Sequence, residues 1–227
     1  GIANLTNNNV TTMYFAQFNA QEVTLIANGV RKLKPTSTLS QDLEPEYITI
    51  SPDSQKAWVA LQENNAIAEI NLTNNTYSSL WALGTKDMSV VGNGADISDN
   101  NGQVLIANWP IKSYYQPDGI AHFNAGGANF IVTANEGDEK EYVGFVERIT
   151  IGDANYSLNA TNYPQASMLK QTHNAGRLRV SAFSGKETGN TAYDQIYALG
   201  ARSFSIFNTD TKALVYDSGD DFEMYTA

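Results

Sequence analysis

Carboxylates clustered in loops are the chemistry this chain offers. Three stretches stand out: Asp42, Glu44 and Glu46; Glu136, Asp138, Glu139 and Glu141; and Asp217, Asp220, Asp221 and Glu223. Hard oxygen donors at this density suit Ca²⁺, and less well Mg²⁺, rather than Zn²⁺. The candidate cation set is Glu46, Asp118, Glu136, Asp138 and Asp220 or Asp221. Like charges gathered at one place call for a counter-charge. The alternative for any one of them is an acid that caps a strand end and stays solvated. A fourth stretch, Asp96-Ile-Ser-Asp99-Asn-Asn-Gly102, has the oxygen-rich composition of a calcium loop. It departs from the EF-hand pattern, with no Gly at position six and no Glu at position twelve.

Arg202, in Gly-Ala-Arg-Ser-Phe, is the candidate anion clamp, because a guanidinium binds phosphate or carboxylate bidentately. Its alternative is a structural ion pair with an acid such as Asp220. Arg177 and Arg179 flank Leu178 on an expected strand and should face solvent. His122 lies mid-strand and His173 near a helix end, and neither neighbours a nucleophile-elbow serine. The sequence holds no Gly-x-Ser-x-Gly, P-loop, dinucleotide fingerprint or His-Glu-x-x-His. A phosphatase built here would use a metal-activated water, with Glu136, Asp138, Asp220 and Asp221 as ligands and Arg202 as the phosphate clamp. Trp58, Trp81 and Trp109 read as core, although a Trp109-Pro110 corner suits glycans.

The elements that must position these groups show an internal repeat. Residues 44–65 and 116–138 share a proline, an acid, an Ile three residues after the proline, a turn, an apolar strand and a final Glu. The two spans, Pro45 to Glu63 and Pro117 to Glu136, differ by one residue. One strand–turn–strand unit cannot bury its own apolar face, so a repeat of this kind implies stacked sheets, as in a propeller. Strands are expected over 47–51, 56–62, 66–72 and 77–83, with a helix over 19–29 before them. A next blade is expected from Gly119, with strands near 119–123, 129–134 and 145–151. The last strands are expected near 177–183, 195–199, 203–208 and 213–217. Residues 84–115 and 152–176 interrupt this rhythm as irregular insertions, the second ending in a short helix.

The net charge of −10, from 14 basic and 24 acidic residues, argues against nucleic acid or an anionic membrane as partner. With no cysteine there are no disulfides and no thiolate chemistry. No apolar run is long enough to span a membrane. Six Asn-x-Ser/Thr triplets begin at Asn4, Asn9, Asn71, Asn74, Asn155 and Asn159. Asn71 and Asn74 are the best placed for glycans, because their surroundings have turn composition.

Several stretches resemble the choice-of-anchor I family of secreted and surface-anchored propellers. They include Leu43-Glu-Pro-Glu-Tyr-Ile48, Ala107-Asn-Trp-Pro110, Tyr115-Gln-Pro-Asp-Gly-Ile120, Val132-Thr-Ala-Asn-Glu-Gly-Asp138, Ala201-Arg-Ser-Phe-Ser-Ile206 and Asp217-Ser-Gly-Asp-Asp-Phe-Glu223. That family includes mesenchyme-specific cell-surface glycoproteins and bacterial proteins labelled alkaline phosphatase. The resemblance implies an all-β fold, a β-propeller of about seven blades when complete. This chain would be its middle portion: about four blades in a single partial domain over 1–227, with no internal boundary and two irregular insertions. The remaining blades of the same parent protein, or another copy, would close the ring. The function expected is a secreted or cell-surface matrix or adhesion module that binds Ca²⁺ and contacts proteins, glycans or mineral. The alternatives are a metal-dependent phosphoesterase and a self-assembling surface subunit.

Overall fold

The computed structural model describes residues 2–4, 9–187 and 189–227. The chain begins with β1 (Ile2–Asn4) and β2 (Asn9–Thr11), a 3-10 turn (Phe15–Gln21), α1 (Glu22–Ala27) and α2 (Leu39–Asp42). A run of strands follows: β3 (Ile48–Ile50), β4 (Lys56–Leu61), β5 (Ala66–Asn71), β6 (Thr76–Ala82) and β7 (Thr85–Asp87). The middle holds β8 (Lys112–Tyr114), β9 (Gly119–Ala125), β10 (Ala128–Asn135), β11 (Glu141–Tyr142), β12 (Phe145–Val146) and β13 (Arg148–Thr150). The rest is α3 (Ala166–Leu169), β14 (Arg179–Ser181), β15 (Tyr197–Ala198), β16 (Ser203–Asn208), β17 (Leu214–Asp217) and α4 (Asp221–Thr226). The fold is mostly β with short helices, and among the described residues the sheets close into neither a barrel nor a propeller ring.

Two compact units share the chain. The first holds 1–84, 116–134 and 205–216; the second holds 85–115, 135–204 and 217–227. The backbone passes from one to the other five times, so no linker marks a boundary in the sequence.

In the first unit, β3, β4, β5 and β6 form an antiparallel meander in chain order. Its turns are chemically specified. Asn65 and Asn75 adopt positive φ, which Asn tolerates better than most residues. The Asn71 carboxamide oxygen accepts both the backbone N–H and the hydroxyl of Thr73, closing an Asx turn. After Lys56, Ala57-Trp-Val-Ala-Leu61 in β4 is an unbroken apolar run because the sheet is covered on both faces. Ala57, Val59 and Leu61 face a core with Phe18, Leu25, Leu39 and Leu43 from the helical segment. Trp58, on the opposite face, is fully buried and stacks on His122 with ring centroids 4.7 Å apart. Trp81 meets Phe207 at 5.8 Å. Glu69, also on that face, is paired with Lys56 at 3.0 Å and Lys212 at 2.5 Å. The structure therefore gives His122 a packing role, with its Nε2 3.0 Å from the Asn129 carboxamide oxygen.

The second four-stranded sheet corrects the expected blade. Gly126 and Gly127, both at positive φ, make the tight turn of the β9–β10 hairpin. Beyond β10 the neighbour is β16, followed by β17, and not 145–151. That stretch divides instead into β12 and β13, and β13 pairs with β14. Long-range pairing overrides sequence order here.

The second unit takes in both of the stretches that read as insertions. Its five-stranded sheet runs β13-β14-β15-β8-β7, antiparallel except where β15 lies parallel to β8. The core beneath it gathers Met88, Ile97, Ile111, Tyr156, Tyr163 and Ile196, so residues 85–111 and 152–176 are structural material.

Candidate functional site

A close backbone crossing sets the site. After β10 the chain turns at Gly137 (φ +88°) directly over Gly200 (φ +81°). A Cβ on either glycine would overlap the other strand's backbone, so glycine is required at both. The Ser113 hydroxyl holds Gly200 by donating to its carbonyl at 2.5 Å. The crossing projects the acidic loop 136–139 beside a cleft of about 520 Å³. Asp99, Asp138, Glu139, Arg177 and Arg179 line it, over an apolar wall of Ile97, Leu178 and Leu199.

The cleft's charges are paired. Arg177 donates to both oxygens of Asp99, Nε at 2.6 Å and Nη2 at 3.1 Å. The Arg177 hydrogen bond holds the Asp99 carboxyl below its ordinary range and raises the guanidinium in turn. Arg148 pairs with Glu139 and, at 2.9 Å, with Glu141. Arg179 stands 3.6 Å from Glu139.

Ile97 and Asp99 also line an adjoining hollow of about 360 Å³, with Asp96, Arg202 and Glu223. Here Arg202 Nε meets Glu223 Oε1 at 2.6 Å, and Nη1 donates to the Asp96 carbonyl at 2.9 Å. The Asp96 N–H donates to the other Glu223 oxygen at 3.3 Å. Arg202 is thus in an ion pair, with Glu223 in place of the expected Asp220. Asp220 instead accepts the Gly94 N–H at 3.2 Å. Lys86, buried below, donates to the Ala201 carbonyl at 3.1 Å and lies 3.6 Å from Asp217. Burial lowers the Lys86 pKa, against the opposing pull of Asp217, Asp220 and Glu223.

The candidate cation residues are therefore dispersed. Asp99 and Asp138 line the larger cleft, and Asp96 and Asp99 the smaller. Glu136 is exposed at the crossing, and Asp221 is exposed at the start of α4. Glu46 and Asp118 are exposed in the first unit, where they begin equivalent strands: their N–H groups donate to Ala60 and Ala134 respectively. That register pairs Glu136 with Gln62, one residue short of Glu63. Glu63 is buried in the β4–β5 turn, while Glu136 is exposed. Asp42 is a buried loop clamp that accepts the N–H groups of Leu33 and Lys34 at 3.0 Å. Among the described residues, no group of three or more His, Cys, Asp or Glu is placed to hold a metal ion.

Arg177, Arg179 and Arg148 were not expected to shape a site. Arg177 lies in the turn before β14 and Arg179 opens that strand, and both line the larger cleft. Among the glycosylation triplets, the one at Asn4 runs into residues outside those described, and Asn9 adjoins them. Asn74 is exposed on a turn and Asn71 half-buried. Asn155 is exposed, while the Asn159 amide donates to Asp194 at 2.6 Å.

No curated protein and no solved structure matches this sequence. No helix among the described residues is long and apolar enough to cross a membrane. The sequence profile of the choice-of-anchor I domain matches residues 1–227, its whole length. A domain of that kind suggests an extracellular or cell-surface protein, and the chain belongs to the choice-of-anchor I family.

Proposed function

We propose that this chain is the recognition portion of an extracellular or cell-surface propeller, which contacts proteins, glycans or mineral. The observation that carries the reading is the pair of adjoining clefts, where arginine–carboxylate pairs surround an apolar wall. Exposed Arg–Asp pairs exchange partners at low cost, because such pairs contribute little to stability. The propeller part is supported by the first unit, where two four-stranded sheets pack through Trp58 on His122 and Trp81 on Phe207. The remaining blades of the parent protein, or another copy, would complete the ring. Ca²⁺ enters this reading as a shared ion, with Glu136 and Asp138 supplying part of the shell and the partner the rest.

Adhesion of the parent protein to an extracellular-matrix preparation tests the reading, with and without chelator. Adhesion should fall in an Arg177→Ala/Arg179→Ala variant. Adhesion indifferent to both that variant and chelator rejects it.

A metal-dependent phosphoesterase is the second reading, favoured by two arginines beside carboxylates in one cleft. It requires Arg202 to leave Glu223 or Arg177 to leave Asp99. Phosphate-ester hydrolysis that needs a divalent cation and is lost in Glu136→Gln would establish it. Self-assembly is the third, favoured by the exposed edge residues Leu214, Val215 and Tyr216 of β17. Sedimentation as a monomer at high concentration counts against it.

A further inference from the structure

Three Asn-Gly pairs stand in this chain: Asn28-Gly29, Asn93-Gly94 and Asn101-Gly102. Asparagine is a chemically labile residue, and a following glycine exposes it most. With no Cβ beside it, the glycine nitrogen reaches the asparagine side-chain carbonyl carbon more freely than any other residue's nitrogen would. The fold treats the reacting atoms of the three pairs differently.

Two pairs are tied down. The Gly29 N–H donates to the Ile26 carbonyl at 2.9 Å at the end of α1, and a Cβ on Gly29 would lie 3.3 Å from Ala82. The Gly94 N–H donates to the Asp220 carboxylate at 3.2 Å, and the Asn93 amide nitrogen donates to the Asp87 carbonyl at 2.9 Å. Ile106 and the Ala107 carbonyl wall in Gly94 as well. Asn101-Gly102 differs at each of these points. The Gln103 N–H donates to Asn101 Oδ1 at 3.0 Å, which polarises the side-chain carbonyl toward attack. Among the described residues, nothing accepts the Gly102 N–H or the Asn101 amide hydrogens. Gly102 is exposed at φ +65°, with open space where a Cβ would stand.

We propose that Asn101 is a site of spontaneous self-modification. The Gly102 nitrogen attacks Asn101 Cγ and gives its proton to hydroxide. The Cγ–Nδ2 bond breaks, the amide nitrogen takes a proton from water and leaves as ammonia, and a cyclic succinimide remains. Water then opens either carbonyl of that ring, giving aspartate or isoaspartate. No atom is oxidised or reduced, and water is the one co-reactant. The product adds a carboxylate to the loop that carries Asp96 and Asp99, which line the clefts described above. This chemistry is independent of the recognition reading.

Incubation of the folded protein at mildly alkaline pH, followed by peptide mapping with fragmentation, tests it. The readout at each asparagine is the mass gain that replaces an amide NH2 by OH, together with methylation by an isoaspartyl methyltransferase. Asn101 should convert at least about tenfold faster than Asn93, because freeing the Gly94 N–H breaks a hydrogen bond to a charged carboxylate. In urea the three asparagines should convert at comparable rates. Gly102→Ala should slow conversion at Asn101 in the folded protein, and Asn101→Gln should abolish it there. Asn101 left intact when the unfolded chain has converted overturns the proposal. So does Asn28 or Asn93 keeping pace with Asn101 in the folded protein, or a rate at Asn101 indifferent to Gly102→Ala.

Discussion

Glu69 shows how the chain handles buried charge. Its side chain is 5% exposed and paired with Lys56 and Lys212. Burial pushes its pKa up, but the hydrogen bonds and charges of the two lysines outweigh burial, and the net direction is down. A depressed carboxyl contributes stability above its unfolded pKa and loses it as pH falls through the folded value. Acid should therefore weaken the first unit below about pH 4, the ordinary range of a Glu carboxyl. Glu69→Gln should destabilise the protein by about 3 kcal/mol at pH 7 and flatten this acid dependence, as denaturant melts across pH would show. Exposed pairs behave differently. Asp99→Asn should leave the midpoint of the same melts essentially unchanged, because both partners are solvated. The acids themselves were legible in the sequence, but their surroundings were not. Asp42 and Asp220 differ in fate because Leu33 and Lys34 reach the one from 9 and 8 positions away and Gly94 reaches the other from 126, and no local pattern encodes that.

Legibility followed the locality of the pairing among the elements. The four strands of 48–82 could be read because each pairs with the next across a turn of Asn and Asp residues. The β9–β10 hairpin was readable for the same reason. The strand beyond it was misassigned because β10 takes β16 as its neighbour, and the intervening chain forms another sheet. The expected helix over 19–29 is a 3-10 turn followed by α1, ended at Gly29 with φ +100°. The glycine crossing belongs to this scale, since it fixes the loop that carries Glu136 and Asp138. Gly137→Ala should cost about 2 kcal/mol or more, from backbone overlap added to an unfavourable φ. A thermal melt of that variant within a degree of the parent's would show that the crossing tolerates a methyl group.

For the whole molecule, the interlaced route of the backbone matters most. The first unit needs 205–216 for its outer strands, and the second needs 85–115 as well as 135–204. Limited proteolysis should accordingly release no stable piece, and a truncation at Gly84 should not fold, as its circular dichroism would show. The same routing constrains synthesis. A nascent chain cannot finish its first unit on the ribosome as each segment emerges, because the closing strands arrive only after Tyr216 is made. The first unit must wait until residues 205–216 are available, with the apolar faces of its early strands uncovered in the meantime. Non-local pairing of this kind slows folding and lengthens the time for which those faces stay open to misassembly.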